Sequence, residues 1–273
     1  MTSLILGLFG GVGLFLLGMA LLTEGLRSFA GDSLRKALLR FTDQPIKAFL
    51  SGTLATAVVQ ASSATTITMI GFVSAGLLSF PRALGVVLGA SLGTTSTGWL
   101  VALIGLNVSV GYYAFPITGA GAFLRLVAPG RWKSFGTALA GFGLMFVGIE
   151  HLQGAMAGVT SHVDFASLPA SGLGERLLIV LVGMVLTVLM QSSGAAIATT
   201  LTALSVHSVS FDQAALVVIG ASIGTTFTGV FASIGASVPA RRTAFALTLF
   251  TIFAGAGVFL AMPLFLKVLF RVT

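Results

Sequence analysis

The chain has 273 residues, of which 56% are hydrophobic and only 8% are charged, and its mean hydropathy is +1.07. A soluble domain carries roughly 25% charged residues, so this composition excludes a soluble protein and places the chain in a lipid bilayer. Because cysteine is absent, the sequence has no disulfide framework, no thiolate zinc site and no cysteine nucleophile. The uncharged N-terminus, which lacks a small-residue cleavage pattern, argues against a signal peptide.

Six apolar segments are candidates to cross the roughly 30 Å of hydrocarbon in a bilayer, which takes about 20 residues as a helix. They are residues 2–23, 86–106, 111–126, 134–149, 214–236 and 243–266, of which the third and fourth are the shortest. The predicted fold class is therefore an all-α polytopic membrane protein.

The basic residues predict how these segments are oriented. If the N-terminus lies outside, eleven of the fourteen basic residues fall on the inner side, as the positive-inside rule requires. Those eleven are Arg27, Arg35, Lys36, Arg40, Lys47, Arg82, Arg125, Arg131, Lys133, Arg241 and Arg242. We therefore expect a multi-pass protein of the inner (plasma) membrane with both termini extracytoplasmic. We attribute the net charge of +7 to the basic residues that orient the protein in the membrane, and not to a nucleic-acid binding site.

The sequence contains an internal duplication. Residues 60–98 align without a gap on residues 191–229, at an offset of 131, and about 18 of the 39 aligned positions are identical. The duplication divides the chain into a first repeat, 1–130, and a second repeat, 131–273. Because each repeat contains three predicted crossings, the second is expected to be inverted relative to the first. Inverted repeats are typical of transporters, whose binding sites lie where the repeats meet.

Each repeat has a polar tip between two short apolar legs. The tips are Gln60-Ala61-Ser62-Ser63 and Gln191-Ser192-Ser193-Gly194. The legs are residues 46–59 and 64–78 in the first repeat and 177–190 and 195–206 in the second, and none is longer than roughly 22 Å as a helix. Such short legs predict a re-entrant hairpin; the alternative is five full crossings in each repeat, which preserves the inversion. Free N–H groups at the start of the second leg, from Ala64 and Ala195 onwards, together with serine hydroxyls, predict an anion site.

A second duplicated block, Gly-Ala-Ser-x-Gly-Thr-Thr, occupies residues 89–95 and 220–226 in the middle of a predicted crossing. Paired glycines followed by β-branched threonines weaken a helix, so we expect a discontinuous helix whose carbonyl and hydroxyl oxygens bind an alkali cation. Helix packing is the alternative for the glycines, and bonding to carbonyls of their own helix is the alternative for the hydroxyls. The hydroxyl residues assigned to sodium are Ser91, Thr94, Thr95, Ser222, Thr225 and Thr226.

Apart from Lys47 at the outer end of the first leg, charged residues are absent from the legs, the tips and both blocks. Proton-coupled carriers usually keep an ionisable residue in the membrane, so Na⁺ is favoured over H⁺ as the coupling ion. No nucleophile–base pair, metal-ligand spacing or phosphate-cradling loop occurs in the sequence. We therefore expect no enzyme activity, no cofactor and no metal other than sodium.

Two copies of a Gln-Ser-Ser-Ser-type tip, each followed by a Gly-Ala-x-x-Gly-Thr-Thr block, resemble the type II sodium–phosphate cotransporter family. The resemblance covers almost the whole chain and is strongest over residues 53–100 and 184–231. It implies Na⁺-driven symport of inorganic phosphate, with substrate and sodium contacts in the tip motifs. The matching substrate-binding residues are Gln60, Ser62, Ser63, Gln191, Ser192 and Ser193, and Thr65 with its neighbour Thr66 is assigned to sodium.

Two positions depart from the family pattern, because Ala61 and Gly194 stand where it usually has serine. Each departure removes one hydroxyl, which bears on the number of sodium sites, the stoichiometry and the substrate. The chain also ends just after its sixth predicted crossing, so we expect a bacterial-type member without a C-terminal regulatory domain.

Three alternatives to sodium–phosphate symport remain open at this point. They are a sodium-coupled carrier of another oxyanion such as sulfate or a carboxylate, a passive anion channel, and a membrane scaffold without transport activity. The expected partners are inorganic phosphate, Na⁺ and the lipid bilayer, with no nucleic acid. The oligomeric state is open, with a homodimer as one alternative.

Overall fold

The computed structural model describes residues 2–105, 111–160 and 172–272. All regular secondary structure in these ranges is helical, which confirms the all-α prediction. The helices of the first half are α1 (Thr2–Arg40), α2 (Pro45–Val59), α3 (Ser62–Ser74), α4 (Phe80–Gly93), α5 (Thr95–Leu100), which continues as a π-helical turn (Val101–Gly105), and α6 (Gly111–Val127). Those of the second half are α7 (Arg131–Thr160), α8 (Leu173–Met190), α9 (Ser193–Ser205), α10 (Phe211–Ala232) and α11 (Val238–Val272).

Six helical segments of the described chain are long and apolar enough to cross a membrane, so this is an integral membrane protein. They are Leu6–Gly31, Phe80–Leu103, Arg131–Met156, Leu173–Met190, Phe211–Ala232 and Val238–Leu264. Five of the six overlap predicted crossings, although Leu106, the last residue of the predicted segment 86–106, lies outside the described residues. The predicted crossing 111–126 forms α6, whose 17 residues extend about 26 Å.

The prediction that every hairpin leg is too short to cross a membrane is wrong for α8. The predicted leg, 177–190, is part of an 18-residue helix that begins at Leu173 and extends about 27 Å. The Glu175 carboxylate stabilises the start of this helix by accepting a hydrogen bond from the Gly172 N–H at 3.1 Å. The re-entrant path of the hairpins and the inversion of the repeats therefore stay predictions.

The two predicted tips are chain breaks of the same shape. Gln60 (φ 58°) and Gln191 (φ 52°) both take the left-handed conformation that commonly ends a helix. The next helix begins at Ser62 in the first half and at Ser193 in the second, two residues earlier than the predicted legs. These serines therefore belong to the first helical turn, where backbone N–H groups have no partner within the helix.

Glycines pack α2 against α4 and α8 against α10 in the same way. A Cβ atom added to Gly52 would collide with the carbonyl oxygen of Val86, and one added to Gly183 would collide with that of Val217. The two pairs are related by the 131-residue offset, so the sequence duplication is also a duplication of packing.

The glycines of the two Gly-Ala-Ser-x-Gly-Thr-Thr blocks have the same packing role. A Cβ atom on Gly89 would collide with the Phe49 carbonyl, and one on Gly220 would collide with the Val180 carbonyl. The helix-packing alternative therefore accounts for these glycines, because only a residue without a side chain allows two backbones to approach so closely.

The predicted discontinuous helix is limited in the first half to a turn between α4 and α5, and it is wrong for the second half. Thr94 separates α4 from α5 but keeps helical angles (φ −62°, ψ −26°), whereas α10 runs through its block without a break. The threonine hydroxyls bond to carbonyls of their own helix: Thr225 Oγ1 donates to Ala221 O at 3.1 Å, and Thr226 Oγ1 donates to Ile223 O at 2.8 Å. These bonds stabilise the helix that the glycines weaken, and they occupy the carbonyls that the prediction left free.

Helices α1 and α7 pack closely along one another. The Cα position of Gly18 lies against the Met145 backbone, and that of Gly148 lies against Phe15. Phe15, Met145 and Ile149 are almost fully buried in the hydrophobic core that this pair shares with residues of α9. The long first helix is thereby fixed beside the second hairpin.

We expect Gly183→Ala to lower the midpoint of thermal unfolding in detergent by about 5 °C or more, because a methyl group cannot fit against the Val217 carbonyl without moving α8 from α10. Gly257→Ala is the matched control, since a Cβ atom there has no neighbour within 4 Å. Equal midpoints for the two variants would contradict the packing described here.

Candidate functional site

A cavity of about 850 Å³ lies between the two tips, a volume suited to a small ligand. Every predicted substrate-binding residue lines it, and these residues are Gln60, Ser62, Ser63, Gln191, Ser192 and Ser193. The positions that depart from the family pattern, Ala61 and Gly194, line it as well. The fold therefore brings together two motifs that are 131 residues apart in sequence, while the ligand they bind stays a prediction.

The residues assigned to sodium are divided between several places. Thr94 and Thr225 line the cavity. Thr65, Thr66 and Thr226 are buried but do not line it, and Ser91, Thr95 and Ser222 lie on exposed helix faces away from it. The structure thus gathers two of the eight at the tips.

Gln60 is held in place by α5. Its side-chain Nε2 donates to Ala57 O at 2.5 Å and to Ser96 Oγ at 3.0 Å, and its Oε1 accepts a hydrogen bond from Thr97 Oγ1 at 2.8 Å. Both ends of this carboxamide are therefore already bonded to protein, which fixes its orientation at the cavity wall.

Gln191 is held less completely than its counterpart. Its Nε2 donates to Val188 O at 2.6 Å, and this is the side chain's one hydrogen bond within the described residues. The position that corresponds to Ser96 is occupied by Phe227, which cannot accept a hydrogen bond from the amide. The second N–H of this amide therefore lacks the acceptor that Ser96 provides in the first half. The Oε1 atom of Gln191 accepts no hydrogen bond from a described residue either, so both atoms are left to interact with a ligand.

The N-termini of α3 and α9 both lie at the cavity, and they are capped differently. Ser192 Oγ accepts a hydrogen bond from Ala195 N at 3.2 Å. The equivalent residue, Ala61, has no hydroxyl, so no side chain caps the first turn of α3. Helix N-termini attract anions through free N–H groups and the helix dipole. An oxyanion in this cavity would find more free N–H donors on the first hairpin than on the second.

The second departure from the family pattern is explained by packing between the halves. Gly194 is buried, and a Cβ atom there would lie 3.2 Å from Thr97 Cγ2 and 3.3 Å from Thr97 Oγ1. A serine at this position would press against the residue that holds Gln60. The absence of a side chain at 194 thus preserves the network at the first tip.

Two charged residues at the cavity were not assigned to the site by the sequence. The residues of α1 that line the cavity are Leu16, Met19, Ala20, Thr23, Glu24, Arg27, Ser28 and Gly31. Because the first crossing was predicted to end at residue 23, Arg27 was assigned to an inner basic cluster, but α1 continues to Arg40. Glu24 and Arg27 thus lie on the same helix face. The cavity-lining positions of α1 recur every three or four residues, and this helical spacing is the signal that could have identified both residues.

The charges of Glu24 and Arg27 are available to a ligand. Both side chains are exposed to the cavity, and neither forms an ion pair with another described residue. By contrast Lys47, away from the cavity, donates to Asp43 at 3.0 Å and thereby lowers the pKa of that carboxyl. The tips themselves have no charged residue, and α1 therefore contributes one cation and one anion to the cavity.

Comparison with known proteins identifies related chains. The sequence profile of the Na⁺/Pi-cotransporter family matches residues 14–154 and 163–268. "Uncharacterized protein YqeW" of Bacillus subtilis is 35% identical over 260 residues, which cover 91% of this chain and 78% of that protein. "Putative inorganic phosphate export protein YjbB" of Escherichia coli K12 is 31% identical over 250 residues, which cover 90% of this chain but only 45% of the relative. No solved structure shows a significant match.

We expect Arg27→Gln to raise the concentration of inorganic phosphate that half-saturates the purified protein by about threefold or more at low ionic strength, because a cavity-lining cation attracts an oxyanion. Binding in detergent with Na⁺ present measures this. Lys36→Gln is the control, since Lys36 is exposed on the same helix outside the cavity. An equal change in both variants would show that only net charge matters.

Proposed function

The chain belongs to the Na⁺/Pi-cotransporter family, and from this premise we propose that it is a secondary active transporter of inorganic phosphate, driven by symport with Na⁺ across the plasma membrane. The observation that carries the proposal is the single cavity lined by both duplicated tips. Its walls offer hydroxyls, carboxamides and two helix N-termini, which are groups that can bind an oxyanion and an alkali cation side by side.

Phosphate is bound in this proposal at the starts of α3 and α9. The N–H groups of the first turns and the hydroxyls of Ser62, Ser63 and Ser193 donate hydrogen bonds to its oxygens. Arg27 on α1 contributes positive charge from the side of the cavity. Charge-assisted hydrogen bonds of this kind are roughly twice as strong as neutral ones, so several donors can replace the hydration of the anion.

Sodium is bound by uncharged oxygens of the same cavity. Na⁺ is a hard cation that suits carbonyl and hydroxyl ligands. The free Oε1 of Gln191 and the hydroxyls of Thr94 and Thr225 supply such oxygens. Because the bound cation and the oxyanion attract one another, each raises the affinity for the other, and this reciprocal effect is the basis of coupling.

Alternating access in this proposal follows from two inverted repeats with the site at their interface. The duplicated glycine packing of α2 with α4 and α8 with α10 supports two equivalent bodies, and the positive-inside distribution supports extracytoplasmic termini. Net flux follows the gradients of Na⁺ and phosphate, so the same chain can import or export phosphate. The name of the Escherichia coli relative refers to export by that protein.

Purified protein in liposomes is expected to accumulate labelled phosphate against its gradient when Na⁺ is imposed outside. Replacing Na⁺ with K⁺ or choline should abolish the accumulation. Uptake that only equilibrates phosphate would indicate a channel, and stronger competition by sulfate or a dicarboxylate than by phosphate would indicate another oxyanion. Undiminished accumulation in choline would refute sodium coupling.

Gln60→Ala and Gln191→Ala are each expected to abolish this uptake, but with different effects on stability. Gln60→Ala also removes the partner of Ser96 and Thr97 and should lower the thermal midpoint, whereas Gln191→Ala breaks one hydrogen bond and should lower it less. Gln153→Ala is the matched control, because this glutamine lies on α7 outside the cavity. Full transport by Gln191→Ala would contradict the assignment of the second tip.

A further inference from the structure

Thr187, near the end of α8, has a buried hydroxyl without a partner. The residue is 3% exposed, and its Oγ1 forms no hydrogen bond with any described residue. Thr187 also lines the cavity between the tips. It is held there by α10, since a Cβ atom on Gly224 would lie 2.9 Å from Thr187 Cβ. A buried hydroxyl without a partner is unfavourable unless a ligand supplies one.

The first half shows why this hydroxyl is free. Thr56 occupies the position equivalent to Thr187, at the offset of 131, and its Oγ1 donates to Thr65 Oγ1 at 3.0 Å. The residue equivalent to Thr65 is Ala196, which has no hydroxyl. One substitution between the repeats therefore replaces a Thr–Thr pair by an unpaired hydroxyl on a residue that lines the cavity.

The backbone carbonyl of Thr187, like its hydroxyl, has fewer hydrogen bonds than that of Thr56. In the first half, the Gln60 N–H donates to the Thr56 carbonyl at 2.7 Å. The described residues include no corresponding bond from Gln191 N to the Thr187 carbonyl. The last turn of α8 is thus less satisfied by protein than the last turn of α2.

The position of Thr187 favours a cation over an anion. It lies in the last turn of α8, where the carbonyl end of the helix carries partial negative charge. The free amide oxygen of Gln191, one turn further on, adds to this negative potential. The N-termini that favour an anion belong to α3 and α9, so the cation and the anion are assigned to different helix ends.

We propose that Thr187 Oγ1 is an oxygen ligand for a monovalent cation, Na⁺ in the cell, and that Ala196 makes this contact possible by leaving the hydroxyl free. The contact exists in the second half only, because Thr65 occupies the equivalent hydroxyl in the first. The proposal rests on sodium-coupled transport as the function of the cavity, and it adds a ligand that the tip motifs do not include.

The test compares three variants in the liposome assay, with Na⁺ concentration as the variable and phosphate saturating. Thr187→Val removes the hydroxyl at nearly constant shape, and Ala196→Thr keeps it but rebuilds the Thr–Thr pair of the first half. Both should raise the half-saturating Na⁺ concentration about fivefold to tenfold, the effect of losing one ligand to a charged group. Thr202→Val is the control, since that buried hydroxyl donates to Ala198 O at 2.9 Å and does not line the cavity.

A second measurement keeps the result independent of transport and of folding. The thermal midpoint of the purified protein without phosphate should rise with added Na⁺ and not with K⁺, and this rise should shrink in Thr187→Val and Ala196→Thr. If either Thr187→Val or Ala196→Thr fails to fold, the other variant alone tests the proposal. Unchanged half-saturating Na⁺ in the folded variants, an equal shift in Thr202→Val, or a change confined to phosphate affinity would overturn the proposal. If wild-type uptake is independent of Na⁺, the proposed function itself fails instead.

Discussion

The rest of the site depends on two glutamines that end helices in a left-handed conformation. This conformation costs a non-glycine residue roughly 1–2 kcal/mol, and glycine would adopt it without strain. Glutamine adds what glycine cannot, because its Nε2 donates to the carbonyl three residues earlier, Ala57 for Gln60 and Val188 for Gln191. In apolar surroundings an unpaired carbonyl is costly, so this bond allows one helix to stop and the next to begin. The cavity exists because the chain does this twice.

The two halves use one scaffold for unlike chemistry. Their glycine contacts coincide at a fixed offset, but a few side chains differ: Ser96 corresponds to Phe227, and Thr65 corresponds to Ala196. As a result the first half bonds its polar atoms to one another, whereas in the second half the Gln191 amide loses an acceptor and the buried Thr187 hydroxyl has no partner among the described residues. The proposed symport requires an anion and a cation to be bound together, and duplication followed by local divergence is a way to obtain two different binding sites from one fold.

The sequence predicted the features that depend on residues aligned between the repeats. The tips, their meeting at one cavity and the all-helical fold follow from matched polar motifs and apolar length. The prediction failed at α1, because the first crossing was taken to end at residue 23, just before the first charged residue. Glu24 and Arg27, which line the cavity from the same helix, were therefore missed. It failed again at α10, because bonds from the threonine hydroxyls to their own helix cannot be read from the residue types. The unpaired hydroxyl of Thr187 could not be predicted either, because residue types alone do not show which buried hydroxyls bond to one another.

Thr97 belongs to the first half but touches both tips, since its hydroxyl bonds Gln60 and its side chain lies against Gly194. The two tips are therefore parts of one mechanical unit, and a displacement of either must be shared by the other or open a gap at this threonine. Movement at one tip is then transmitted to the other by direct contact at this threonine, in addition to the packing of α1 against α7, and needs no moving domain as an intermediary.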